Sequence, residues 1–321
     1  MEQPPIQPHT PDQITEETLR AQKLKELIES IDEDVLEYKR KLKTNSFTDE
    51  TEKLAFQKRL TDKVKKAKRI KNGEAIQETE SVISHHYQYT NPETNKVEHQ
   101  EDIEINIEQS LTFFKDLYLK TNIGLPLDFD EQVQEIWNTN FDAIQSAVEE
   151  HGFNGVLIAP ANIPLPELSE KMKMGDGYYL GDNFKNNGSF EGATSTGTDK
   201  PRIILYHSKS LPDIQKENGI DPHLSITARD AQSLYDANPT DYLGTLEDAI
   251  ILERAHFEKT GIHISDYQKN SGHWLSGTKL SSGSRFVRSS WYPSDSELDV
   301  DAGDAGSSFS SLGCRPSRSF Y

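Results

Sequence analysis

Apolar residues at Leu24, Ile28, Ile31, Val35, Tyr38 and Leu42 recur at steps of four and three, the spacing of a heptad seam along one helix face. The run from Lys43 to Thr48 breaks that pattern, and Asp49 stands where a helix N-cap is wanted. A second helix carrying Phe56, Leu60, Val64 and Ala67 would stop at Asn72-Gly73. Residues 15–75 are therefore expected to form a coiled-coil-like helical hairpin, with a longer oligomerising coil as the alternative. Residues 1–14, rich in Pro and Gln, are expected to be disordered.

Residues 76–103 are polar and hold the turn-forming run Thr90-Asn-Pro-Glu-Thr-Asn95, which reads as a linker or a hairpin. An α/β region is expected over 104–225. Helical spacing appears around 106–120 (Ile107, Leu111, Phe114, Leu117, Tyr118) and 129–149 (Val133, Ile136, Trp137, Phe141, Ile144, Val148). Gly155-Val-Leu-Ile-Ala159 and Arg202-Ile-Ile-Leu-Tyr206 are short continuous apolar runs, the pattern of buried strands. Between them, Met174 to Pro201 is too long for a plain connector and reads as a functional loop or an irregular subdomain. A last helix begins at Thr245 as N-cap, with Asp248 three residues on, and ends at Gly261.

Charge sharpens this division. Residues 1–75 carry 16 Lys and Arg against 15 Asp and Glu, while the rest carries 19 against 38, so the net charge of −18 belongs to residues 76–321. Such a field repels phosphate backbones and anionic bilayers, and neither nucleic acid nor membrane is expected as a partner. The lysine run Lys63–Lys71 is expected to be the solvated face of the second helix. The start of the chain has no basic and apolar leader pattern, no segment is apolar enough to span a bilayer, and the expected location is cytoplasmic.

Few residues are arranged for catalysis. Cys314 is the one cysteine, which leaves no disulfide or thiol-based zinc site within the chain, and it reads as a packed thiol. Gly188-Ser-Phe-Glu-Gly192 lacks the Gly-Lys-Ser/Thr ending of a phosphate loop. Ser284 and Ser290 have no identifiable base. His256, His263 and His273 share one segment but not the spacing of a metal site. Asp299-Val-Asp-Ala-Gly-Asp304 alternates carboxylates as a calcium loop does, yet the twelfth position, where a bidentate Glu is required, is Ser310. No cofactor or metal is expected.

The C-terminal segments Arg285-Phe-Val-Arg-Ser-Ser-Trp291 and Leu312-Gly-Cys-Arg315 enclose a run of Ser, Asp, Gly and Ala. Together they resemble the closing motif of the formylglycine-generating-enzyme branch of C-type-lectin-like folds, Arg-Val-x-Arg-Gly-Gly-Ser-Trp, an insert, then Gly-Phe-Arg. Ser289-Ser290 stands for the small pair and Cys314 for the Phe, and Trp274-Leu-Ser-Gly277 is similar to that fold's Trp-containing strand. Catalytic members use paired cysteines or a histidine-bound iron, neither of which has a counterpart here. The resemblance therefore points to the non-catalytic variable proteins of diversity-generating retroelements, whose adenine-containing codons are rewritten near the 3′ end of the gene.

On that resemblance the fold class is α+β, with a C-type-lectin-like module at 226–321 preceded by the α/β region and the helical hairpin. The terminal strand Arg315–Phe320 would pair centrally. Trp274, Trp291, Gly313 and Arg315 would be scaffold. Ser289, Ser290, Tyr292, Ser294, Asp295, Ser296, Asp299, Asp301, Asp304, Ser307, Ser308 and Phe309 would form a variable surface for a protein ligand. The alternatives are a fixed lectin-like module, a metal-dependent enzyme of the same fold, and an adaptor that forms homo-oligomers through its N-terminal helices.

Overall fold

The computed structural model describes residues 16–44 and 81–321, except 174–176, 187–188, 282 and 284, together with isolated positions between 53 and 71. The chain divides into two compact units, 1–78 and 79–321. In the first, helix α1 spans Glu16–Thr44, and of the expected seam positions Ile31, Val35 and Tyr38 are half-buried while Ile28 and Leu42 are exposed. The expected disorder at 1–14, the turn after Thr44 and most of the second helix lie outside the described residues.

The second unit is α+β. Strands β1 (Val82–Asn91) and β2 (Lys96–Asn106) form an antiparallel hairpin, the second of the two readings of 76–103. Asn91 closes its turn by accepting from the backbone of Glu93 and Thr94. Ile83, Ile103 and Ile105 alternate with polar residues and turn one face into the core, which is why so polar a segment holds a strand.

Helices α2 (Ile107–Lys120) and α3 (Phe129–His151) follow, and then strand β3 (Gly155–Ala159). Next come α4 (Leu165–Met172), β4 (Gly177–Leu180), the short helices α5 (Asp182–Asn186) and α6 (Ser189–Gly192), β5 (Ala193–Ser195) and β6 (Arg202–Tyr206). After α7 (Leu211–Asn218) and α8 (Ala228–Ala237) comes α9 (Leu246–Thr260), buried through most of its length. The Thr245 hydroxyl accepts from Asp248 N at 3.1 Å to cap it, and Gly261 ends it at φ +70°. Strands β7 (Gly272–Leu280), β8 (Phe286–Tyr292), β9 (Glu297–Gly303), β10 (Leu312–Gly313) and β11 (Ser317–Phe320) complete the chain.

Six strands form a curled sheet in the order β10-β7-β8-β9-β4, with β5 added to β7. A separate three-stranded sheet runs β11-β6-β3. Two expectations are corrected by this topology. The terminal strand ends its sheet, since β6 is the one named strand that β11 pairs with among the described residues, and on its other side Ser317 N and Ser319 N donate to Asp241 O and Thr240 O of a connecting segment. The boundary at 225/226 does not divide the core, because β4 and β5, from the Met174–Pro201 stretch, extend the C-terminal sheet and β6 holds β11. One apolar cluster runs from Ile83 to Phe320.

The expected scaffold residues are all buried. Trp291 stacks on His263 with ring centroids 3.5 Å apart, and Phe257 covers the other side of that imidazole. Gly313 leaves no room for a side chain, as a Cβ there would meet Pro222 O at 2.6 Å. Burial pushes the Cys314 thiol up to about 12, which makes it a packed, unreactive group.

Arg315 is fully buried. Its Nη1 donates to His207 O and Lys209 O at 2.8 Å, and its Nη2 donates to Ile264 O at 3.0 Å and Ser271 Oγ at 2.9 Å. A lysine has one ammonium and cannot reach acceptors on both sides of a planar fork. Arg315→Lys is expected to cost on the order of 3 kcal/mol of stability, measured by chemical denaturation.

Candidate functional site

Strand alternation separates the β8–β9 hairpin into two faces. Val287, Ser289 and Trp291 of β8 and Leu298, Val300 and Ala302 of β9 turn into the interior. Arg288, Ser290 and Tyr292, with Glu297, Asp299 and Asp301 opposite them in register, share the other face.

Arg288 organises that face. Its Nη2 donates to Asp301 Oδ2 at 3.0 Å, directly across the ladder, and its Nη1 donates to Asp299 Oδ2 at 3.1 Å on the diagonal. Each carboxylate keeps one buried oxygen, Asp299 Oδ1 and Asp301 Oδ1, with no hydrogen-bond partner among the described residues, and the same holds for Ser290 Oγ. Buried acceptors of this kind are costly unless something donates to them. Burial, with Asp301 and Glu297 adding to it against the opposing Arg288, pushes the Asp299 carboxyl up to about 6.

Aromatic rings border this polar centre. The Phe309 ring covers the Arg288 guanidinium at 4.9 Å, with Trp274 6.2 Å from Phe309. Tyr292 stacks on Tyr267 at 4.6 Å, and burial followed by the Asp299 charge raises its phenol. Tyr179 of β4 sits in register with Asp299 and is half exposed. Gly181 lets the β4 end approach, since a Cβ there would lie 2.2 Å from the Asp301 carboxyl.

The structure sorts the expected surface residues into four groups. Ser289, Ser290 and Asp299 are buried, so they are not available as direct surface contacts; strand pairing, which a loop reading of 289–311 does not foresee, turns Ser289 into the interior and leaves Ser290 and Asp299 covered on the Arg288 face. Tyr292, Asp301 and Phe309 come together around Arg288. Ser294, Asp295 and Ser296 form the exposed hairpin turn, with Ser296 at φ +51°. Asp304, Ser307 and Ser308 lie beyond the opposite end of the hairpin, roughly 20 Å of strand away.

The last of these groups is anchored. Asp304 pairs with Arg285 at 2.8 Å. Ala305 O and Ser307 O accept from Arg229 N and Ala228 N, satisfying free backbone donors at the start of α8. The chain then returns so that Phe309 reaches Arg288.

Sequence reasoning missed Arg288, Tyr267 and Tyr179. The alternation of Arg288 and Tyr292 opposite Asp299 and Asp301 was a usable period-two signal; Tyr179 had none, being brought in by a parallel pairing from far upstream. Among the described residues no group of three or more His, Cys, Asp or Glu side chains is placed to hold a metal ion. The Asp299–Asp304 carboxylates are instead engaged by Arg288 and Arg285. No helix among the described residues is long and apolar enough to cross a membrane. Comparison with known proteins finds no matching family model, curated protein or solved structure.

The raised Asp299 carboxyl has a testable sign. The folded state holds this proton between the ordinary value of 3.8 and about 6, so the residue's contribution to stability rises as pH falls through that window. Wild type is expected to gain on Asp299→Asn as pH falls from 7 to about 4, read from denaturation curves at each pH.

Proposed function

We propose that the chain is a non-catalytic recognition protein that holds a protein ligand on the open face of its six-stranded sheet, around Arg288 and the tyrosine pair. On this reading the C-terminal part is a C-type-lectin-like module of the formylglycine-generating-enzyme type. The observation that carries the proposal is the separation of roles within residues 286–309. Buried framework residues alternate with surface residues, and the surface ones join an aromatic rim to a polar centre whose acceptors are unpaired.

Tyrosine and phenylalanine offer large contact area at low entropic cost, and short Ser and Asp side chains adapt their hydrogen bonds around it. Glu297, Asp299 and Asp301 on this face, within the negative field of residues 76–321, favour a ligand that presents a basic side chain. The surrounding rings would stabilise that cation further.

Diversification, where it operates, would be confined to Tyr292, Ser294, Asp295, Ser296, Ser307, Ser308 and Phe309, because replacing Ser289, Ser290 or Asp299 disturbs buried packing. Sequencing the 3′ end of the gene across a natural population tests this. The expected result is adenine-biased substitution at those seven codons, with the codons for Trp291, Leu298, Val300 and Arg315 constant. Uniform codons, or changes without base bias, would leave a fixed binding surface. The binding surface itself is tested by a library varied at those seven positions alone, which is expected to keep the wild-type fold by circular dichroism; general unfolding would show them to be structural.

A further inference from the structure

A cleft of about 430 Å³ opens among β2, α2, β3, β6 and α9, elements that contribute no side chain to the recognition surface. That volume lies within the range of small-molecule sites. Its lining includes two polar side chains that are more than nine-tenths buried yet have no hydrogen-bond partner among the described residues, Tyr206 and His256.

The Tyr206 ring lies over Gly155, where a Cβ would stand 2.5 Å from it, so the absence of a side chain at that position seats the phenol. Burial pushes the phenol up to about 12, which keeps its proton and makes it a donor. His256 projects from α9. Burial first, then the charges of Arg315 and Lys259, bring its imidazole down to about 4, so at neutral pH it is uncharged and carries one N–H.

Lys259 stands three residues further along the same helix. The residue is exposed at the mouth of the cleft, its ammonium lies 4.4 Å from the Phe113 ring centroid, also in the lining, and it has no carboxylate partner among the described residues. Phenol, imidazole and ammonium thus offer donors to one space. The single carboxylate in the lining, Glu104, is exposed. In a chain of net charge −18, a cavity that gathers donors around an unpaired cation is arranged against the average field.

We propose that this cleft binds a small organic molecule through a carboxylate or phosphate group, held by Lys259, Tyr206 and His256, with its apolar part on Phe113. An oxyanion would accept from the three groups together, none of which has a hydrogen-bonding or ion-pair partner for its side chain among the described residues. A neutral or cationic ligand would leave the ammonium unpaired.

The test is isothermal titration of the full chain with inorganic phosphate, acetate and benzoate, each against sodium chloride at equal ionic strength. Saturable binding of at least one anion is expected, weakened about tenfold or more in both Tyr206→Phe and Lys259→Met, and unchanged in Lys185→Met, on a helix outside the cleft. Tyr206→Phe keeps the ring against Gly155, so it remains informative if Lys259→Met loses packing. Tighter binding of phosphate than of the carboxylates would identify a phosphate ester as the natural class, and preference for benzoate an aromatic carboxylate. Failure of all three anions to saturate, or equal affinity in wild type and Tyr206→Phe, would overturn the proposal. Neither result bears on the Arg288 surface.

Discussion

The buried guanidinium of Arg315 is the contact on which the second unit depends. It lies between β10 and β11 and donates to backbone carbonyls at the end of β6 and at Ile264, and to the Ser271 hydroxyl just ahead of β7. Four acceptors around one fork tie the three-stranded sheet to the curled six-stranded sheet. No carboxylate touches it among the described residues; Glu253 supports its charge only through the field, and burial lowers it to about 10. The buried imidazoles of His207, His256 and His273 are all pushed down by burial with Arg315 contributing, so the interior keeps one cation there and holds its histidines neutral.

A second cation, Arg202, is treated in the opposite way. It is buried against Asp248, which also takes part in the Thr245 cap of α9, so one carboxylate both starts the central helix and neutralises β6. A buried pair of this kind contributes orientation more than net stability. Arg288 follows a third pattern. Its two carboxylates each keep one buried oxygen without a partner among the described residues, so the pairing is less complete than that of Arg202 with Asp248.

Local patterns made much of the fold legible. The apolar runs at 155–159 and 202–206 are strands, the helical spacings at 106–120 and 129–149 are helices, and Thr245 and Gly261 bound α9, because each signal rests on short-range backbone chemistry. Trp291 and Arg315 were recognisable as framework. The 289–311 stretch was harder to read, because short polar residues suit a solvated loop and a buried strand equally well. Ser289 and Ser290 are in a strand only because β7 and β9 flank them.

The sequence alone determined several of the helices and strands and where the negative charge lies. Tertiary structure decided what those segments face. Parallel pairing of β4 with β9 brought Tyr179 to Asp299, and the packing of β3, β6, α2 and α9 brought Tyr206 and His256 to a shared cleft. Propensity and periodicity act over a few neighbouring residues, whereas a site is made by contacts between residues far apart in the chain, whose partners no local pattern names.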